Sequence, residues 1–165
     1  MATNQPITEE LIWELLEDVY DPEIPVLSVV DLGVVRKIQL QENKANITIT
    51  PTYSGCPAMQ VIEEDIQKKL TESEIIAEVD TVLSPAWTTD WLSKKGKQKL
   101  KEYGIAPPEQ KSADKGLLTG SPKNIECPQC HSKNTEMVSQ FGSTACKALW
   151  KCNDCKEPFD YFKCL

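Results

Sequence analysis

A single histidine, His131, stands among 165 residues, and no Glu-x-x-His pair occurs, which argues against a self-contained di-iron oxygenase. Its seven glycines form no glycine-rich nucleotide fingerprint, which argues against a self-contained reductase. No stretch approaches the roughly 18 apolar residues that a membrane span requires. The opening Met1-Ala2-Thr3-Asn4-Gln5-Pro6 carries neither a basic nor an apolar leader, and the expectation is a cytoplasmic protein with no membrane association. Cationic charge is also scarce. A net charge of −7 argues against nucleic acid as a partner, because non-specific binding depends on neutralising phosphates.

Cysteine, by contrast, is plentiful. Seven is an odd number for a disulfide scaffold, and in a reducing compartment thiols stay free for metals or clusters. Four of them form two Cys-x-x-Cys pairs, Cys127-Pro-Gln-Cys130 and Cys152-Asn-Asp-Cys155, with 21 residues between. Two such knuckles bring four thiolates to the corners of a tetrahedron around one ion. The spacing alone does not separate zinc from an iron–sulfur cluster, which also takes four cysteines. A zinc ribbon is the default. Residues 125–165 are too few for a core of their own, so metal binding supplies most of the folding energy, on the order of 10 kcal/mol. His131 is read as a knuckle residue, because four cysteines already complete the set. Cys146 and Cys164 are candidates for extra or transient thiol ligands.

Upstream, Thr8 to Tyr20 reads as a helix capped by Thr8, with Leu11, Ile12, Leu15, Leu16 and Val19 on one face. The proline-stiffened loop Asp21-Pro22-Glu23-Ile24-Pro25 follows. Strands are expected over Val34–Leu40 and around Ile47–Thr50, joined as a hairpin through Glu42-Asn43-Lys44. Met59, Ile62, Ile66 and Leu70 recur at helical spacing. A third strand is expected over Val79–Leu83, and a third helix is capped by Thr88 or Thr89 and stopped at Gly104. That helix carries Lys94, Lys95, Lys97, Lys99 and Lys101, read as a solvated face. Trp87 and Trp91 are read as packing residues, with the lining of a pocket as the alternative. The fold class is α+β: a small mixed sheet with helices in the order α-β-β-α-β-α over residues 1–104, a linker over 105–124, and a metal-stapled ribbon over 125–165.

Cys56 is the thiol outside the ribbon. With Pro57 as the first helical residue, Cys56 falls at the N-cap, where unpaired N–H groups and the helix dipole lower a thiol's pKa. The alternative is a small buried core thiol. Asp21, Glu23 and Asp31 crowd the preceding loop, as turn caps or as neighbours of a metal held at Cys56.

Several of these segments carry a resemblance. Asp21-Pro22-Glu23-Ile24-Pro25, Asp31-Leu32-Gly33, Thr50-Pro51-Thr52-Tyr53-Ser54-Gly55-Cys56-Pro57-Ala58-Met59 and Leu83-Ser84-Pro85-Ala86-Trp87-Thr88-Thr89-Asp90-Trp91 resemble the domain of SufT-like proteins and cytosolic iron–sulfur targeting factors. With both knuckles, Phe141 to Ala148 and Glu157 to Lys163, the whole chain resembles the PaaD family, whose members are encoded with the bacterial phenylacetyl-CoA epoxidase. The resemblance implies an accessory or maturation role in aerobic phenylacetate breakdown, not a catalytic one. The epoxidase is a multicomponent oxygenase with a di-iron component and a reductase bearing an iron–sulfur cluster. The implied partners are these components and iron–sulfur assembly proteins. Zinc in the ribbon and transient iron, or an iron–sulfur cluster, at Cys56 with Asp21 and Glu23 as neighbours are the implied metals. A stable, non-catalytic structural member of the oxygenase complex is the alternative role.

Overall fold

A computed structural model of the chain describes residues 6–108 and 125–163. The fold divides after Trp87 into two compact units.

In the first unit, helix α1 runs Glu9–Leu16, and the Thr8 hydroxyl accepts from the Leu11 N–H at 3.2 Å, as the sequence predicts. The helix stops short of Tyr20. Val19 closes back on the Leu16 carbonyl, and the Tyr20–Ser28 bridge then needs extended backbone. Strands β1 (Val35–Gln41) and β2 (Lys44–Ile49) form the expected hairpin, turned at Glu42-Asn43. Helix α2 (Ala58–Glu72) buries Met59, Ile62, Ile66 and Leu70, the residues that its periodicity picked out. It returns the chain to β3 (Ile76–Thr81), which lies parallel to β2. This strand starts and ends earlier than its composition suggests. Its register is imposed by β2, from Lys44 opposite Ile76 to Ile49 opposite Thr81.

The sheet order is β1-β2-β3, so central β2 supplies the fully buried Ala45, Ile47 and Ile49. Antiparallel β1–β2 and parallel β2–β3 pairing puts the start of β1 and the ends of β2 and β3 at one end of the sheet. The loops carrying Asp31-Leu32-Gly33, Cys56 and Trp87 leave from that end. They are tied there by Thr50 N–H to the Val34 carbonyl at 2.9 Å and by the Trp87 indole N–H to the Leu32 carbonyl at 2.9 Å. Trp87 is buried, a packing residue as read from the sequence.

The second unit opens with a short 3-10 turn at Thr89–Trp91, and helix α3 (Lys94–Tyr103) is capped by Ser93 rather than by either threonine. The Ser93 hydroxyl accepts from the Gly96 N–H at 2.8 Å. Gly104, at φ +91°, ends the helix in the left-handed conformation that glycine adopts without strain. The next residues correct the linker reading. Ile105–Ala106 form β4, an edge strand paired with Asp160–Tyr161 of β7 (Pro158–Phe162). Both are apolar and buried, which places them in this sheet and not in solvent. Most of the rest of the expected linker, residues 109–124, lies outside the described residues. With β5 (Thr135–Ser139) and β6 (Lys147–Cys152), the sheet order is β4-β7-β6-β5. Its core joins Ala106, Ile125, Cys127, Ala148, Trp150, Cys152, Phe159 and Tyr161. Trp150 and Tyr161 pack edge to face, their ring centroids 6.3 Å apart.

Gly142 is fixed by contact. A Cβ there would stand 2.8 Å from Asp160 Oδ1 and 3.4 Å from the Lys147 carbonyl oxygen, whose own bond to the Gly142 N–H is 2.7 Å. Gly142→Ala is expected to lower stability by about 1–3 kcal/mol, read as a reduced midpoint in a thermal melt of the zinc-loaded protein.

Candidate metal sites

Each knuckle in the second unit is a short turn with the same build. After Cys127 and Cys130 the chain enters the left-handed region at His131 (φ 62°), and after Cys152 and Cys155 it does so at Lys156 (φ 68°). The first turn is closed by His131 N–H to the Cys127 carbonyl and by Cys127 N–H to the Ser132 carbonyl, both at 2.9 Å. The second is closed by Cys152 N–H to the Glu157 carbonyl at 3.0 Å. These turns leave backbone N–H groups pointing at sulfur: Ser132 to Cys130, Asp154 and Cys155 to Cys152, and Glu157 to Cys155.

The two knuckles face each other. All four sulfurs lie within 4.8 Å of one another, with Cys127 to Cys155 at 3.7 Å and Cys130 to Cys152 at 3.5 Å. A tetrahedron with metal–sulfur bonds of about 2.3 Å has edges of about 3.8 Å. The donor set therefore fits one zinc ion. The inner cysteines, Cys127 and Cys152, are fully buried on the sheet side, while Cys130 faces solvent. Protonation is graded across the group. Backbone N–H donation, foremost from Cys155, holds the Cys152 thiol down at about 7. The Glu157 N–H favours the Cys155 thiolate, but burial and bonds to the other three sulfurs outweigh it and push that thiol up to about 12.

Asp154 secures the arrangement from outside the ligand set, and the sequence reading missed it. Its carboxylate accepts from Ser132 Oγ and, at 2.8 Å, from Asn134 Nδ2, tying the second knuckle to the chain that leaves the first. Those two bonds hold its carboxyl below the usual range. Acids inside zinc knuckles read as surface residues, and only the folded pairing shows what they grip.

His131 stays outside the tetrad, with Nδ1 3.0 Å from Glu126 Oε1. Cys146 must be removed from the ligand candidates. It precedes the far end of β6 from Cys152, and six residues of extended chain place it about 20 Å away. It is buried, with Sγ 3.1 Å from Thr144 Oγ1. Cys164, the other candidate, lies outside the described residues.

The first unit holds the remaining site. Tyr53-Ser54-Gly55-Cys56 forms a type II turn, with Gly55 at φ +80° and the Cys56 N–H donating to the Tyr53 carbonyl at 3.3 Å. The N-cap of α2 is Pro57, so Cys56 stands one residue further out than the sequence suggests. The thiol's pKa is also raised, not lowered. Burial is the largest cause, and the charges of Glu23 and then Asp21 add to it, outweighing the Ala58 N–H and the Tyr53 side chain. The helix terminus alone does not decide this thiol's charge, because the acidic loop stands against it.

Asp21, Glu23 and Cys56 are thus brought together, but the two acids differ. Asp21 is buried, and its Oδ1 accepts from the N–H groups of Glu23 at 2.7 Å and Ile24 at 2.9 Å. That carboxylate shapes the loop. Glu23 is half-buried and bears more strongly on the thiol. Asp31 is buried with its N–H on Ser28 Oγ at 3.0 Å. Tyr53 is the residue the sequence reading passed over. Its signal was the glycine two positions on, which makes Tyr53 and Cys56 the two ends of one turn.

Comparison with known proteins gives first the class and then the family. Residues 9–82 match the description of an iron–sulfur cluster assembly protein, and residues 111–163 match the PaaD zinc beta ribbon domain. The chain is 45% identical over 166 residues to an Escherichia coli protein provisionally named as a component of 1,2-phenylacetyl-CoA epoxidase, covering all of this chain and 98% of that one. A Porphyromonas gingivalis Fe–S protein maturation auxiliary factor is 34% identical over 96 residues, which span 56% of this chain and 90% of the relative. A crystal structure of the DUF59 domain of unknown function from Bacillus anthracis shares the fold of the same portion, with a TM-score of 0.53, 34% identity, and coverage of 56% of this chain and 90% of that one. The chain belongs to the PaaD family, which joins an iron–sulfur assembly domain to a zinc ribbon.

Proposed function

We propose that this chain is an accessory factor that delivers or repairs the iron of the phenylacetyl-CoA epoxidase system, and that it acts in the cytoplasm without catalysing a turnover itself. The observation that carries the reading is that the charges of Glu23 and Asp21 act on the half-buried Cys56 thiol, with Asp21 also shaping the loop that bears Glu23. One thiol and one carboxylate attract a thiophilic cation but do not complete its coordination. Iron, alone or in an iron–sulfur cluster, is the substrate at this site: held briefly, with positions open for a client's ligands. Because the thiol's pKa is raised, binding there displaces a proton, and affinity grows with pH up to the thiol's own range.

The ribbon does the opposite. Cys127, Cys130, Cys152 and Cys155 supply a complete tetrahedral set, so zinc there would be structural and would hold the second unit folded for docking. The names of the assembly-factor relatives support the maturation reading. Deleting the protein in its host and measuring iron in the purified epoxidase components tests it. Iron-poor components with low activity are expected, and fully loaded, fully active ones would refute it. A second reading, a stable non-catalytic member of the oxygenase complex, is favoured by the name of the E. coli relative. Co-purification with the oxygenase in fixed stoichiometry would select that reading over transient delivery.

A further inference from the structure

Strand β3 lies at an edge of its sheet, and half of its backbone groups are turned away from β2. Ile76 donates its N–H to the Asn43 carbonyl at 3.1 Å, and Val82 donates to the Ile49 carbonyl at 2.9 Å. Alternate residues of a strand point their backbone groups the same way, so Ala77, Val79 and Thr81 turn theirs outward. Among the described residues no strand pairs with that side. On the sheet face away from the buried Ala45, Ile47 and Ile49, β3 presents Ile76, Glu78 and Asp80, all exposed. Sheet edges are often blunted by charge, and two acids would serve that end. Ile76 does not fit it. At 66% exposure it is the most exposed large hydrophobic side chain among the described residues, and it stands where an apolar group invites pairing.

We infer that β3 takes an added strand: an extended, cationic segment of a partner protein pairs with Ala77, Val79 and Thr81 by main-chain hydrogen bonds. Running antiparallel to β3, that segment carries on the open face two cations, facing Asp80 and Glu78, and then an apolar residue facing Ile76. Glu78 is already met by Lys44 at 2.6 Å, so Asp80 is the stronger attractor. On the α2 side of the edge, an open hollow of about 390 Å³ lined by Gln67, Thr71, Glu74, Ile76 and Ala77 receives alternate side chains of the added strand. A second copy is a poor occupant through the same edge. Two-fold pairing of β3 with itself gathers Glu78 and Asp80 of both copies on one face, and like charges so placed repel. The inference is independent of any metal at Cys56.

The test uses the zinc-loaded full chain, isotope-labelled for amide NMR. The probe is a blocked heptapeptide, Thr-Lys-Thr-Lys-Thr-Val-Thr, with its glutamate-for-lysine counterpart as control. At millimolar concentration the lysine peptide should shift the β3 amides and slow hydrogen exchange at Ala77, Val79 and Thr81. The glutamate peptide should do neither. Asp80→Lys, a change at an exposed position, should weaken binding about 5- to 20-fold. Val79→Pro deletes one outward N–H, which an edge strand tolerates, and should abolish binding with circular dichroism and zinc unchanged. Should the proline variant fail to fold, Asp80→Lys alone decides. Equal binding of the two peptides, no effect of Asp80→Lys, or no perturbation at β3 would overturn the inference. Slow exchange at those three amides in the free protein would also overturn it, because another part of this chain or a second copy would already cover the edge.

Discussion

Cys152→Ser is expected to leave the first unit folded and the ribbon unfolded. Cys152 sits at the centre of the second unit in every sense: it ends β6, it is fully buried in the ribbon core, and its sulfur lies 3.5 Å from Cys130. Removing its thiolate leaves three ligands and puts a hydroxyl into a space lined by sulfur and aromatic rings. Structural zinc in small ribbons contributes on the order of 10 kcal/mol at neutral pH, more than the whole stability of most domains. Far-UV circular dichroism, zinc analysis and limited proteolysis together read the outcome: zinc falls from one per chain to none, and cleavage appears within residues 125–163. A chelator strong enough to strip wild type should reproduce the effect, and acid should favour it, because four thiols must lose their protons to bind. A ribbon that stays folded and protease-resistant without zinc would show that its apolar core suffices.

Cys56→Ser should do the reverse. The residue is half-buried in a turn and Cys→Ser changes a single atom, so stability should change by no more than about 1 kcal/mol and the zinc content not at all. Function should nonetheless fall to the level of the deletion, because serine supplies no thiolate near neutral pH. The readout is phenylacetate-dependent oxygenase activity in a deletion host carrying the variant at wild-type abundance. The pair of variants separates the two units: one loses the ribbon and keeps the thiol, the other loses the thiol and keeps the ribbon. Restored activity with Cys56→Ser would make Cys56 a structural residue.

The parts legible in the sequence share one property, that their cause is local. The spacing of Met59, Ile62, Ile66 and Leu70 is that of one helix face, and the helix is there. The Cys-x-x-Cys pairs each specify a turn, and two turns specify a tetrad. Thr8 caps the helix it precedes. The misplaced features are set by residues far away in the chain. Helix α1 ends early because Tyr20 bridges to Ser28, and β3 starts early because β2 dictates its register. Ile105–Ala106 looks like the start of a linker until β7, much later in sequence, pairs with it.

The same distinction applies to the sites. Cys56 is legible from its own turn, but its protonation is not, because Glu23 and Asp21 reach it from a loop that only the fold brings near. Cys146 looks like a spare ligand because it falls between the knuckles in sequence. An extended strand carries it to the other end of the sheet. Tyr53 is marked only indirectly, through Gly55.

Iron bound to the epoxidase components, measured after purification from a deletion host that carries either wild type or Cys56→Ser, tests the central claim most directly. Components from the wild-type strain should be iron-replete and those from the variant strain iron-poor, with the zinc of both accessory proteins unchanged. Equal iron in the two preparations would contradict the account.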